Sequence, residues 1–157
     1  MSRAFTREED TDAALADIGE RPVSRQRNLV TREGLAMIDA EIATLRAGFG
    51  QAEAEANRER MALLARDLRY WTARRETAEL VEPAAGESVA RFGMRVTVEG
   101  EDGERHEWTI VGEDEADAAR GKISHVSPMA RELFGKGVGD VATVNGREWE
   151  IVSLAAR

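Results

Sequence analysis

Residues 29–81 carry a hydrophobic rhythm that few architectures accommodate. Leu35, Ile38, Ile42, Leu45 and Phe49 recur at spacings of three and four. Met61, Leu64, Leu68, Trp71 and Ala78 repeat the rhythm, with Arg75 interrupting it. One such seam on each limb predicts an antiparallel coiled-coil hairpin. A two-helix hairpin has little core of its own, so it is expected as an arm held out by another domain. The functional question is then what its tip presents.

Thr31 is placed as an N-cap, with Glu33 in the first turn where the helix dipole favours an acid. Gly48 and Gly50 flank Phe49, and each costs a helix interior about 1 kcal/mol relative to alanine. The first helix therefore either ends near Ala47 or continues weakly to about Ala56. The second is expected from about Arg58 to Glu79. With Val30 opposite Val81 at the base, the arm projects roughly 25–40 Å at 1.5 Å per residue. The lower value puts the turn at Gly48, the upper near Asn57.

The chain has 157 residues, room for one ordinary domain plus such an appendage. Its net charge of −8 argues against tight, sequence-independent binding to naked DNA. Contact with nucleic acid inside a larger machine stays open. There are no cysteines, which removes disulfides and thiolate metal sites. No apolar run approaches the roughly 18 residues of a membrane span, and no signal-peptide core opens the chain. A cytoplasmic protein without membrane attachment is expected. Residues 1–28 are charged and poor in large apolar groups, which predicts a flexible arm, or a segment that docks through Phe5. The returning helix carries Arg58, Arg60, Arg66, Arg69, Arg74 and Arg75 against Glu59, Asp67 and Glu76. This is either a solvated face with internal pairs or a surface that tracks RNA or DNA, with Arg58, Arg60, Arg66 and Arg69 as the facing cations.

Beyond a linker at residues 82–88 the hydrophobic period changes from 3.6 to 2. Arg95 to Glu99 and His106 to Val111 alternate around a Gly-Glu-Asp-Gly turn, which reads as a hairpin. Lys122 to Val126 reads as a strand. Ser127 and Pro128 open a short helix to about Phe134, and Gly135 stops it. Val141 to Val144 and Glu148 to Leu154 form a second hairpin through Asn145-Gly146. Residues 89–157 thus make a compact domain of about five strands and one short helix. The whole chain is α+β: an N-terminal antiparallel coiled-coil hairpin plus a C-terminal β-sheet domain.

The run Ile123-Ser124-His125-Val126-Ser127-Pro128-Met129-Ala130-Arg131-Glu132-Leu133, followed by Gly137-Val138-Gly139-Asp140, resembles the signature of the bacterial Gre transcript-cleavage factors, the GreA/GreB family. Ile110 to Asp117 resembles one branch of that family. Leu29 to Gly34 and Arg69-Tyr70-Trp71-Thr72 resemble the other. The resemblance covers most of residues 29–154 and implies an FKBP-like fold for the C-terminal domain. It implies RNA polymerase as partner, with the C-terminal domain docked at the rim of the secondary channel and the coiled coil inside it. The family's docking loop maps onto Val126, Ser127 and Pro128, beside Met129. Val126 stands where the family often has an acid. No permanently bound cofactor is implied, and Mg only at the polymerase active site, where acids at the family's tip help hold a metal and water for RNA cleavage. A monomer is expected.

The tip departs from the family. Its Gly-Asp…Glu-Asn sequence has no counterpart here, and the hairpin is shorter by about two turns per limb, of order 12 Å of reach. Glu53, Glu55 and Glu59 are the nearest substitutes, either solvated carboxylates or recruits for a metal. The expectation is a polymerase-binding regulator of transcription elongation without standard cleavage stimulation. The alternative is a cleavage factor that uses those tip carboxylates. A prolyl isomerase is suggested by the fold class alone, which does not carry function. The aromatics Phe92, Trp108, Phe134 and Trp149 mostly lie where strand cores need them. An interaction module unrelated to transcription is a further reading. His106 and His125 are isolated and read as structural or exposed, and no spacing implies a permanent metal site.

Overall fold

The computed structural model describes residues 18–156. Phe5 and the rest of the expected arm up to residue 17 lie outside them. The described chain divides into two compact units. One holds the residues up to Arg25 together with Met37–Thr77, the other Gln26–Ala36 together with the chain from Ala78 onward.

In the first unit the seam is real. Helix α1 spans Arg32–Ala54 and α2 spans Arg58–Thr77, with Ile38, Ile42 and Leu45 buried between them. The α1 helix does not stop at its glycines. A Cβ on Gly48 would lie 3.4 Å from Leu64 Cδ1, so the bare backbone there lets the limbs close together. Ala52, one turn further on, is fully buried. Packing outweighs the roughly 2 kcal/mol that two glycines cost in propensity. The turn falls at residues 55–57, where Ala56 takes a left-handed φ of 54°. Asn57 then caps α2, its Oδ1 accepting the Arg60 N–H at 3.1 Å. With 23 residues, α1 is about 34 Å long, in the upper part of the expected range.

The interruption at Arg75 is resolved by rotation out of the seam. Arg75 is exposed and pairs with Asp39 of α1 at 2.7 Å. Arg74 is instead the buried arginine, 1% exposed. This corrects its assignment to a solvated basic face.

In the second unit the hairpin's roots are tied. Strand β1 (Leu29–Val30) and β2 (Glu79–Leu80) pair in parallel, Leu29 opposite Glu79 and Val30 opposite Leu80. The Val81 N–H continues the ladder to the Val30 carbonyl at 3.1 Å. Thr31 caps α1 as expected, its Oγ accepting the Gly34 N–H at 2.9 Å. Residue 79 therefore belongs to β2 and not to the helix end predicted for it. Two-residue strands carry no periodicity to read.

The remaining strands are β3 (Met94–Gly100), β4 (Arg105–Val111), β5 (Lys122–Ser124), β6 (Val141–Val144) and β7 (Arg147–Ala156). They form one sheet in the order β5-β4-β3-β7-β6, antiparallel except for the β4–β5 pair. Strict alternation along β3 buries Met94, Val96 and Val98. Asn145 and Gly146 both have positive φ, 52° and 76°, as a two-residue type I′ turn demands. Helix α3 (Pro128–Leu133) closes the core with Ala130 and Leu133 against Phe92, Ile110, Ile123 and Ile151. Ala118–Arg120 is a single 3-10 turn. The architecture is α+β, as the sequence indicates. Among the described residues no helix is long and apolar enough to cross a membrane.

Candidate functional site

At the hairpin tip, Glu53, Glu55 and Glu59 are all exposed around the 55–57 turn. Arg60 Nη1 lies 3.9 Å from Glu55, an ion pair across that turn. Among the described residues no group of three or more His, Cys, Asp or Glu comes together closely enough to hold a metal ion. These carboxylates can at most complete a site that another molecule half supplies.

The basic residues of α2 are largely matched inside their own unit. Arg66 pairs with the neighbouring Asp67 at 3.1 Å, and Arg60 with Glu55 as above. Arg69 Nε reaches both carboxylate oxygens of Glu20 at 3.0 Å. The residue after Glu20 engages the same helix: the Arg21 guanidinium sits 4.0 Å from the centroid of the Tyr70 ring and 3.5 Å from Asp67. The hydrogen bonds from Arg69 hold the Glu20 carboxyl below the usual carboxylate range, with the Arg66 charge adding to the effect. Arg58 is exposed at the start of the helix. Neither Glu20 nor Arg21 stands out in the sequence as a partner of this helix. The signal available was an acid beside a base upstream of a helix rich in arginine.

In the second unit the loop after β5 is built by local hydrogen bonds. The Val126 N–H donates to Ser124 Oγ at 3.2 Å and the Ser127 N–H to the Ser124 carbonyl at 2.9 Å. This early turn ends β5 two residues sooner than predicted. Ser127 caps α3, its Oγ accepting the Ala130 N–H at 3.3 Å, and Pro128 occupies the first helical turn, exposed. Met129 packs against the core. Val126 and Ser127 thus join β5 to α3, whose first turn carries Pro128 and Met129.

An open cavity of about 200 Å³ adjoins this loop, lined by Leu29, Phe92, Ile110, His125, Ala130, Arg131 and Phe134. Phe134 is 56% exposed and carries the Arg91 guanidinium 4.9 Å from its ring. It is the aromatic of the four that does not serve a strand core. Leu133 takes the inward position, and Phe134 follows it where the helix ends. His125 meets the Phe92 ring edge-on at 5.5 Å, and its Nε2 is buried with no hydrogen-bond partner among the described residues. His106 is half-buried, bonded to Glu104 at 2.7 Å and stacked on Trp108.

Burial holds the His125 pKa below the ordinary histidine value, against the opposing charge of Glu113. As pH falls below about 6.5 the unfolded chain takes up a proton that the folded chain resists. Stability is therefore expected to decline from that pH downward, toward the lowered folded value. Thermal melts of the wild type and His125→Leu between pH 7.5 and 5 check this. The variant should lose part of the wild-type decline, and parallel curves would refute it.

A further buried carboxylate fixes the root of α1. Glu115 accepts a short hydrogen bond from the Thr31 hydroxyl, and Lys122 Nζ lies 3.6 Å from its other oxygen. A side chain on Gly34 would collide with Glu115, its Cβ 2.7 Å from Oε1. Thr31 and Glu115 lie too far apart in sequence for their pairing to be read from it.

Residues 85–155 match the family described as "Transcription elongation factor, GreA/GreB, C-term". Transcription elongation factor GreA of Ralstonia nicotianae is 36% identical over 135 residues, which cover 80% of this chain and 85% of that protein. The GreA of Alkalilimnicola ehrlichii is 37% identical over 110 residues, 66% of this chain and 70% of that one. The GreA of Maricaulis maris is 47% identical over 76 residues, 45% of this chain and 48% of the relative, so the chain spans about half of that protein's length. Among solved structures, GreA factor homolog 1 (Gfh1) of Thermus thermophilus aligns at 22% identity with a TM-score of 0.41, over 83% of this chain and 100% of that one.

Proposed function

Because the chain belongs to the GreA/GreB family of transcription elongation factors, we propose that it is a monomeric RNA polymerase-binding regulator of transcription elongation that does not stimulate standard transcript cleavage. It docks through Val126, Ser127, Pro128 and Met129 and inserts the hairpin into the secondary channel. Its α2 arginines Arg58, Arg60, Arg66 and Arg69 face RNA or DNA there, and it carries no permanently bound cofactor. The apolar cavity and exposed Phe134 beside the loop support docking, since an exposed apolar surface next to a turn suits a protein partner.

The observation that carries the absence of cleavage is the tip. Glu53, Glu55 and Glu59 are spread around a turn, one of them already paired with Arg60. Metal ligation needs oxygens within about 2.6 Å of one point, and the only metal in reach would be Mg at the polymerase active site. Their shared exposure favours a second reading, in which they recruit that Mg as a cleavage factor's acids do. Backtracked elongation complexes incubated with the protein and magnesium separate the two. The expected result is a stable complex with little RNA cleavage above the polymerase's own rate. Robust cleavage that disappears in a Glu53→Ala, Glu55→Ala double variant would establish the second reading. Failure to retain polymerase subunits in a pull-down would refute both.

A further inference from the structure

Residues 18–25 lie in the same compact unit as α2, and two consecutive side chains engage that helix in complementary ways. Glu20 fills the guanidinium fork of Arg69, the planar donor set that binds a phosphate as readily as a carboxylate. Arg21 covers the face of Tyr70 and lies 5.8 Å from the Trp71 ring centroid. An aromatic face of that kind is what an unpaired base stacks on. The two contacts single-stranded RNA makes with protein, phosphate to arginine and base to ring, are therefore both occupied by the chain's own Glu20-Arg21.

We propose that residues 18–25 are a displaceable strap, in which Glu20 and Arg21 occupy on Arg69 and Tyr70 the places that a phosphate and a base of single-stranded RNA take when α2 meets the transcript. The inference rests on the reading that α2 faces nucleic acid. The strap is held by contacts open to solvent: the side chains of Arg69 and Glu20 are 56% and 63% exposed. Such pairs are screened by salt and individually weak. A polyanion brought to α2 at high local concentration displaces them, while a free RNA of low concentration does not. Asp67 stays neutralised after the exchange, because Arg66 holds it independently of Arg21. The strap thus keeps α2 from gathering RNA away from the polymerase and yields inside it.

The test uses the full chain and a short fluorescein-labelled single-stranded RNA at low salt, read by anisotropy. Glu20→Gln is expected to tighten binding about two- to fivefold, the range an exposed ion pair allows. Glu150→Gln, which removes the same charge from an exposed site on β7, should change it far less. Arg69→Ala should weaken binding and abolish the effect of Glu20→Gln. Hydrogen exchange of the peptide over residues 18–25 should speed up when the RNA is added at saturating concentration. Should Arg69→Ala weaken binding while Glu20→Gln only matches Glu150→Gln, α2 does face RNA but the strap is overturned. Slower exchange of the 18–25 peptide on adding RNA also overturns it, because the segment would then be a ligand for RNA and not its competitor. No effect from Arg69→Ala defeats the nucleic-acid reading and the strap together.

Discussion

A Gly112→Ala chain is expected to lose about 3 kcal/mol of stability in its C-terminal unit, the upper part of what overpacking costs. The reason is space, not backbone freedom. A Cβ at position 112 falls inside the contact shell of the Leu29 carbonyl oxygen. That obstacle is main chain, so no rotamer change moves it aside. Both partners are also tethered. Leu29 is fixed by its pairing with Glu79, and the Gly112 carbonyl accepts the N–H groups of Glu115 and Ala116 at 3.2 and 3.1 Å. Easing the clash would part β1 from this turn and draw Thr31 off Glu115, leaving a buried carboxylate without its hydroxyl donor. Urea denaturation followed by the fluorescence of Trp108 and Trp149 measures the change. A midpoint that stays at the wild-type value would show that the backbone there is far softer than its bonding implies.

The second large effect belongs to the hairpin. Ile38 is 1% exposed and lies in the seam with Ile42 and Leu45. Truncation to alanine is expected to cost about 2–5 kcal/mol, transfer and cavity terms together. A two-helix seam has one layer of side chains to share the loss, so the value should fall in the upper half. The loss should appear as a lowered midpoint for helical circular dichroism. Because the chain forms two compact units, a single unfolding transition is not assured. Hydrogen exchange resolves them: Ile38→Ala should speed exchange in the α1 and α2 peptides more than in β3, and Gly112→Ala the reverse. Equal acceleration everywhere in both variants would mean that the units unfold as one.

Elements with many repeats of one period were legible in the sequence. The seam, the two β-hairpins and the Ser127-Pro128 helix start are each specified by residues close together in the chain. The tip was ambiguous because two glycines argue locally for a stop, whereas the closure of Gly48 on Leu64 and the burial of Ala52 are decided across the hairpin. Arg74 and Arg75 are indistinguishable as letters, and only the rotation of α2 sends one inward and the other to Asp39. The Thr31–Glu115 pair and the β1–β2 ladder join residues distant in sequence. Of the candidate site, the loop from Val126 to Met129 was visible through its capping chemistry. The cavity beside it was not, because its walls come from separate elements of the second unit.

The parallel pairing of β1 with β2 has a consequence for how such a chain can be cut or lengthened. The polypeptide leaves the C-terminal unit at residue 36 and returns to it at residue 78, so the hairpin is an insertion within that unit and not a neighbour in front of it. A fragment begun at the apparent linker would discard β1 and the hydroxyl of Thr31, although both belong to the body it was meant to isolate. Conversely, whole heptads can be added or removed beyond Met37 on one limb and before Thr77 on the other without altering the β1–β2 ladder or the Thr31–Glu115 bond at the roots. Arm length is in this sense a free parameter of the fold, adjustable while the anchorage is kept.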